Sequence, residues 1–226
     1  MSLKLVYFKM RALAEAPQML MRCYGIDYQY VMSWDHFGDV WPNVKPTIAF
    51  KQLPMLEVDG QEQICQSVAI LQFLEQRAGL TIADPVRAAQ SMAILQSAHE
   101  LFAPMNPTVN FAVDDDFIAK RDAMRGALVS RFSDLSRCLA LHDGKFFFDG
   151  TPRAAEFTAY HHLDLSKLLD PTIIQEFPRL EEFLADMEDL AEMQAYLADR
   201  PELIDVAKEP KLVFDGVAHP TGTQQT

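Results

Sequence analysis

Hydrophobic and polar positions over the first third of the chain predict the order βαβ. The apolar run KLVYF at residues 4–8 is typical of a short strand. Apolar positions with helical spacing follow over residues 13–24, and Gly25 comes where a helix commonly ends. Residues 27–32 then alternate polar and apolar side chains, as a second strand does. The two strands and the helix between them make one βαβ unit.

The next segments predict ββα. Residues 33–51 have no sustained period and indicate an excursion over the surface, whose length suggests a functional role. The runs MLEV and QEQIC flank Asp59–Gly60, a turn pair typical of β-hairpins. Ser67 is a favourable N-cap for a helix that ends at Gly79. The order βαβ, excursion, ββα is therefore complete by Leu80.

After Leu80 the periodicity is helical, and no strand alternation returns. Asp84 before Pro85 predicts the start of a helix that runs to about Phe102. Further helices are predicted over residues 114–141, 151–169 and 178–198, the last in two pieces. The helix over residues 151–169 would begin with Thr151 as its cap and Pro152 at its first position. The chain thus predicts an α/β domain over residues 1–80, an all-α domain over residues 85–204 and an unassigned tail over residues 205–226.

Composition and charge limit the classes of molecule that the protein is expected to bind. With 49% hydrophobic residues the chain can bury a substantial core, and no run is long enough to span a membrane. The formal net charge of -12 disfavours binding to nucleic acids or anionic lipids, so an anionic ligand needs a local basic pocket. Cys23, Cys65 and Cys138 have neither disulfide-framework nor metal-ligand spacing, and the N-terminus lacks a secretory signal. These features favour a cytoplasmic protein without a metal site.

Three segments in order resemble a known family. KLVYFKMRALAEAP, DVWPNVKPTIAFKQLPMLEVDG and QSVAILQFLEQRAGL are similar to the glutathione-binding domain of the cytosolic glutathione transferases, nearest to the sigma-like classes with a tyrosine in the first strand. The resemblance implies a thioredoxin-like domain packed on an all-helical domain, glutathione as co-substrate, an apolar electrophile as second substrate, and a homodimer. Residues 8–12 contain no cysteine, which disfavours disulfide reduction.

The resemblance makes Tyr7 the catalytic residue. A thiol with a pKa near ~8.5 is mostly protonated at neutral pH, while only the thiolate is a strong nucleophile. A phenolic O–H aimed at the sulfur would favour the thiolate by roughly 1.5 to 3 kcal/mol, which lowers the thiol pKa by one to two units. From the strand alone, Tyr7 would more often be an ordinary core aromatic. The residues that follow it favour catalysis.

The remaining site residues are also implied by the resemblance. It implies a cis peptide before Pro54, which turns the backbone of Leu53 towards an extended tripeptide. Gln66 and Ser67, at a helix start, would hold the γ-glutamyl end of glutathione. The other implied glutathione-binding residues are Tyr7, Arg11, Trp41, Lys45 and Gln52. The implied co-substrate pocket consists of Phe8, Leu13, Phe102 and Met105.

Some residues depart from the family pattern and leave alternatives open. Leu13 stands where many sigma-like members carry an arginine near the sulfur, and Gln96 stands about where some relatives place a carboxylate. Both departures favour a non-catalytic protein of the same fold, a carrier or structural protein. A third alternative is a fold-only module of an assembly, which would have lost the tripeptide groove. His161 and His162 adjoin on a predicted helix and point apart, which disfavours a shared metal.

Overall fold

The first domain is built on a four-stranded mixed sheet. The computed structural model describes residues 1–112, 114–200, 213–214 and 217–218. The strands are β1 (Leu3–Tyr7), β2 (Gln29–Met32), β3 (Met55–Val58) and β4 (Glu62–Cys65). Their order in the sheet is β2-β1-β3-β4, with β1 parallel to β2 and both β1–β3 and β3–β4 antiparallel. The predicted βαβ and ββα units are confirmed.

Four helices belong to this domain. They are α1 (Glu15–Cys23), α2 (Ser33–Phe37), α3 (Trp41–Val44) and α4 (Ser67–Arg77), with 3₁₀ turns at Ala12–Ala14, Lys45–Thr47 and Ala49–Lys51. α1 packs against α4. After α1, Gly25 adopts φ +62°, a left-handed conformation that glycine tolerates without strain, as its predicted position at the helix end requires. The excursion over residues 33–51 contains two short helices that periodicity did not predict, since neither is long enough to show a period.

Ser67 does not cap α4, so that prediction is wrong. α4 begins at Ser67, and the capping position belongs to Gln66, whose backbone has φ +74° and ψ +117°. A side chain caps a helix from a residue with non-helical backbone angles, and Ser67 has already entered the helix. Its backbone N–H is instead one of the unpaired donors at the helix start.

The second domain is all helical. Its helices are α5 (Pro85–His99), α6 (Phe102–Phe111), α7 (Asp114–Leu139), α8 (Ala154–Leu169), α9 (Pro171–Gln175), α10 (Pro178–Glu188) and α11 (Ala191–Ala198). The predicted start of α5 is confirmed, because the Asp84 side chain accepts a hydrogen bond from the Arg87 N–H at 2.8 Å. The helix predicted to run to about Phe102 ends at His99, and α6, which was not predicted, begins at Phe102. Pro104 lies in the first turn of α6, where its missing N–H costs no intrahelical hydrogen bond.

The central helix α8 begins later than predicted. It starts at Ala154, not near Thr151, and Glu156 in its first turn accepts hydrogen bonds from the Arg153 N–H at 2.8 Å and the Phe147 N–H at 3.1 Å. The carboxylate therefore satisfies the Arg153 N–H, a donor at the start of this helix, and also the N–H of Phe147 in the preceding loop. Burial raises the pKa of Glu156 to about 7, although these hydrogen bonds act in the opposite direction and lower it. The Ala154 N–H donates to Glu75 of α4 at 3.2 Å, which joins the two domains.

Apolar segments of the sequence form the buried cores of the two domains. Phe146 and Phe147 are buried, and Met19 and Met21 of α1 are buried in the core of the first domain. Within the described residues, no helix combines the length and apolarity needed to cross a membrane. In the tail, which the sequence left unassigned, Val213–Phe214 (β5) pairs antiparallel with Val217–Ala218 (β6). The predicted domain end at residue 204 lies outside the described residues.

Candidate active site

The segment after β1 is held by a tyrosine of the neighbouring strand. Tyr7 is the last residue of β1 and only 4% exposed. The Tyr30 hydroxyl of β2 lies 2.6 Å from the Phe8 carbonyl and 3.1 Å from the Met10 carbonyl, and it donates its hydrogen to these acceptors. This hydroxyl fixes the backbone immediately after Tyr7.

The opposite edge of the site is made by unusual backbone before β3 and α4. The Leu53–Pro54 peptide bond is cis, as the resemblance implied. Lys51 has φ +53° and Gln66 has φ +74°, both in the left-handed region that side chains rarely adopt. The Gln66 side-chain amide donates to Gln52 Oε1 at 3.3 Å. Such backbone outliers cluster at functional sites.

These segments enclose one groove of about 710 Å³ between the sheet edge and the end of α5 with α6. It brings together most of the residues selected from the sequence: Tyr7, Phe8, Leu13, Trp41, Lys45, Gln52, Leu53, Gln66, Ser67 and Phe102. Its lining also includes residues that were not selected as site residues: Met10, Lys51, Pro54, His99, Ala103 and Asn106. His99 and Asn106 carry no sequence signal, since a lone histidine or asparagine on a helix is common, and only the packing of the domains places them here.

The groove is positively charged in an acidic protein. The chain contains 32 acidic residues and has a net charge of -12, yet the described lining contains the lysines Lys45 and Lys51 and no aspartate or glutamate. Charges of one sign on the walls of a cleft raise the local concentration of ligands of the opposite charge. The groove therefore suits an anionic ligand, as the composition requires of any anion-binding site on this chain.

An aromatic cluster borders the same groove. The ring centroids of Tyr7 and Phe8 lie 5.3 Å apart, and the Phe8 ring meets Trp41 edge-on at 5.3 Å. Edge-to-face packing of this kind holds aromatic rings in fixed orientations. The cluster joins β1 to the start of α3, so that both elements present side chains to one cavity.

Two of the residues selected from the sequence, Arg11 and Met105, are not among the residues that line the groove. Burial raises the pKa of Asp164 in α8, and the positive charge of Arg11 is one of the smaller effects that oppose this rise. The same charge contributes to the lowered pKa of His161, behind the larger effect of burial. Met105 is fully buried, and its sulfur lies 3.2 Å from Ser166 Oγ of α8. Phe102, Ala103 and Asn106 share the side of α6 that lines the groove, and Met105 lies off that side.

His161 and His162 are buried in the core. Their ring centroids lie 5.1 Å apart, and His162 Nδ1 lies 2.8 Å from the Ala98 carbonyl oxygen. Burial is the main cause that lowers the pKa of His162 to about 4 and that of His161 well below its ordinary value. Over the part of the chain that the structure describes, no group of three or more potential metal-ligating side chains comes together.

Comparison with known proteins places this architecture in one family. Residues 1–76 match the family model of the glutathione S-transferase N-terminal domain, and residues 105–200 match that of the C-terminal domain. The chain is 32% identical over 203 residues to hematopoietic prostaglandin D synthase of Gallus gallus, covering 88% of this chain and 96% of that protein. It is 28% identical over 203 residues to a glutathione S-transferase of Dirofilaria immitis, covering 88% of this chain and 94% of that protein.

Solved structures agree on the fold. The crystal structure of the glutathione S-transferase from Ascaris lumbricoides superposes with a TM-score of 0.72 at 23% identity, covering 89% of this chain and 98% of that one. The Pi-class glutathione S-transferase of Onchocerca volvulus gives a TM-score of 0.75 at 23% identity, covering 88% and 94%. The two matched domains, the curated relatives and the shared fold lead to one conclusion: the chain belongs to the glutathione S-transferase family and is a glutathione transferase.

Proposed function

We propose that the groove binds glutathione along the edge of the first domain and that Tyr7 stabilises the glutathione thiolate. The observation that carries the proposal is the lining: Tyr7 shares a cavity with Lys45 and Lys51 and with no acidic residue. Glutathione carries two carboxylates and one ammonium group, so its net charge is negative, and the thiolate adds a further negative charge. Acidic side chains in the lining would repel this anion.

Each part of glutathione would contact a different set of residues in the groove. The γ-glutamyl carboxylate would lie at the start of α4, where Gln66 and Ser67 present backbone N–H groups at the positive end of the helix dipole. The glycyl carboxylate would lie between the Trp41 indole N–H and the Lys45 ammonium. Between them, the Leu53 backbone before the cis peptide bond would pair with the peptide as an added strand.

The chemistry follows from this placement. The Tyr7 hydroxyl would donate to the sulfur and lower the thiol pKa by about one to two units, so that thiolate is abundant at neutral pH. The thiolate would attack an electrophile held against the apolar side chains of Phe8, Leu13 and Phe102. Conjugation consumes glutathione, and this reaction is the one proposed, with a role in detoxification.

A second candidate reaction is an isomerisation that returns glutathione unchanged. The similarity to the prostaglandin D synthase of Gallus gallus favours it. Both reactions begin with the same thiolate in the same groove. Product analysis separates them, since isomerisation leaves the glutathione concentration constant.

The proposal includes a division into domains of residues 1–80 and 85–204, a cytoplasmic location and a homodimer. Cys23, Cys65 and Cys138 are free thiols, in keeping with a reducing compartment.

Two surface features support the proposed homodimer. The apolar side chain of Phe50 is 70% exposed, and a cavity of about 310 Å³ between α4 and α5 is lined partly by Met92. A projecting aromatic and a partly apolar cavity on the same chain suit a two-fold interface.

A calorimetric titration with glutathione tests the binding site. Trp41→Phe removes the indole N–H from the groove and is expected to raise the Kd by about 5- to 30-fold, the effect of one or two kcal/mol. The matched control is Trp34→Phe, because Trp34 lies in α2 outside the lining. Equal Kd values for the two variants would refute the proposed site. Tight binding without turnover of any electrophile would favour the carrier alternative raised by Leu13 and Gln96.

A further inference from the structure

The side of the groove formed by the second domain is not uniformly apolar. The lining residues contributed there are His99 at the end of α5 and Phe102, Ala103 and Asn106 of α6. His99 is the single titratable side chain among these four. It shares the cavity with Tyr7, across from the residues proposed to hold glutathione. Polar groups such as His99 and Asn106, placed beside apolar side chains in a pocket wall, orient a ligand by hydrogen bonding.

The surroundings of His99 keep its ring neutral at neutral pH. Burial lowers the pKa of His99, and the nearby Glu100 carboxylate raises it by less. Glu100 is itself paired with Arg131, which reduces its influence on the imidazole. A neutral imidazole has one N–H donor and one acceptor nitrogen. His99 can therefore donate a hydrogen bond to a ligand without carrying a charge into the groove.

His162 adds a rigid support behind this wall. It is buried, its Nδ1 is tied to the carbonyl oxygen of Ala98, the residue before His99, and its ring packs against Phe102 at a centroid distance of 5.9 Å. His162 therefore contacts the backbone next to His99 and the ring of Phe102. A donor that follows a fixed backbone is better preorganised, and a preorganised donor stabilises developing charge more than a mobile one does.

Building on the proposed function, we propose that His99 is a catalytic residue that selects α,β-unsaturated carbonyl compounds as co-substrates. The thiolate sulfur forms a bond to the β-carbon, and the electron pair of the carbon–carbon double bond moves to leave an enolate. The His99 N–H donates a hydrogen bond to the enolate oxygen as its negative charge develops. Water then protonates the α-carbon, and the product is the saturated carbonyl compound bearing glutathione through sulfur.

Alkyl halides provide the chemical contrast. When the thiolate displaces a halide, negative charge leaves with the halide and no oxygen becomes charged. A hydrogen-bond donor positioned for an enolate oxygen therefore does not stabilise the transition state of a halide displacement to a comparable extent. The ratio of kcat/KM for an enone to kcat/KM for an alkyl halide therefore reports the hydrogen bond itself, and general damage to the pocket lowers both values and cancels.

The test measures this ratio with benzylideneacetone and benzyl chloride. For His99→Phe we expect the ratio to fall roughly 10- to 100-fold, because a preorganised donor to developing oxyanion charge is lost. His99→Gln keeps an N–H donor and is expected to retain most of the ratio. His142→Phe, which changes an exposed histidine outside the groove lining, is the control and should leave the ratio as in the wild type.

The outcomes separate this inference from the proposed function. An unchanged ratio in His99→Phe would overturn the role of His99, as would a fall seen in Asn106→Leu instead. Equal losses for both electrophiles would also overturn it, since they indicate packing alone. If the wild type binds no glutathione by calorimetry, the proposed function itself fails. Binding of glutathione with an unchanged ratio refutes only the role of His99.

Discussion

Arg200 Nε donates a hydrogen bond to Glu15 Oε1 at 2.6 Å, and this pair ties the end of the helical domain to the first residue of α1. Glu15 is fully buried, and the Arg200 side chain is only 14% exposed. A second pair, Arg22 with Asp199 at 2.9 Å, joins the same two segments at the surface. Both pairs join α1 to residues 199–200, but one is buried and the other is exposed. Their contributions to stability can therefore be compared directly.

Arg200→Met is expected to lower the free energy of unfolding by about 3 kcal/mol or more, because it leaves a buried carboxylate without its cation. Arg22→Met removes an exposed pair, which contributes about 0 to 1 kcal/mol. Urea unfolding of both variants measures the difference. Equal losses in the two variants would contradict the assignment of the Glu15 pair as buried and stabilising.

His162 is expected to make stability depend on pH. Its pKa in the folded protein is lowered to about 4 from an ordinary value of 6.5, so below pH 6.5 the unfolded chain binds more protons than the folded chain. Stability from this group is therefore full above pH 6.5 and is lost as the pH falls towards 4. Between pH 7.5 and pH 5 the loss amounts to about 2 kcal/mol.

The measurement compares urea unfolding of the wild type and His162→Gln at these two pH values. The advantage of the wild type over the variant should shrink by about 2 kcal/mol at the lower pH, because glutamine does not titrate. His142→Gln, at an exposed position, should show no such change. A constant difference between wild type and His162→Gln would show that His162 is not held neutral by burial.

The two lysines of the groove are expected to contribute separately to glutathione affinity. Lys45→Ala and Lys51→Ala should each raise the Kd by about 3- to 10-fold, since each removes one partly solvated cation near a carboxylate. The affinity should also become less sensitive to added salt, because fewer charges are left to screen. Lys120→Ala is the control, as Lys120 pairs with Asp116 in α7. A Kd unaffected by both groove variants would exclude electrostatic recognition here.

Local sequence chemistry was enough to predict the framework of the first domain. The pair Asp59–Gly60 specified the hairpin. The apolar run of β1, the helical spacing of α1 and the alternation of β2 specified the βαβ unit, because such signals act over a few residues. The sequence also selected ten of the residues that line the groove, through a family resemblance that already contained the three-dimensional arrangement.

The failures concern features that only tertiary packing decides. Arg11 lies near Asp164 and not at the groove, and no local pattern connects residues so far apart in sequence. Met105 faces Ser166 because of how α6 packs, and His99 reaches the groove because α5 ends beside the first domain. α8 starts at Ala154, and not at a Thr151 cap, because the buried Glu156 carboxylate accepts from the Arg153 N–H and from the distant Phe147 N–H.

The most direct test of the central claim is the ultraviolet absorbance of the thiolate of bound glutathione as a function of pH. In the wild type the thiol should titrate about one to two pH units below its free value near ~8.5, and in Tyr7→Phe it should return towards that value. Tyr28→Phe is the control, since its hydroxyl lies against Gln18 outside the groove lining. A bound thiol with the same pKa in the wild type and in Tyr7→Phe would contradict the account of Tyr7 as the residue that activates glutathione.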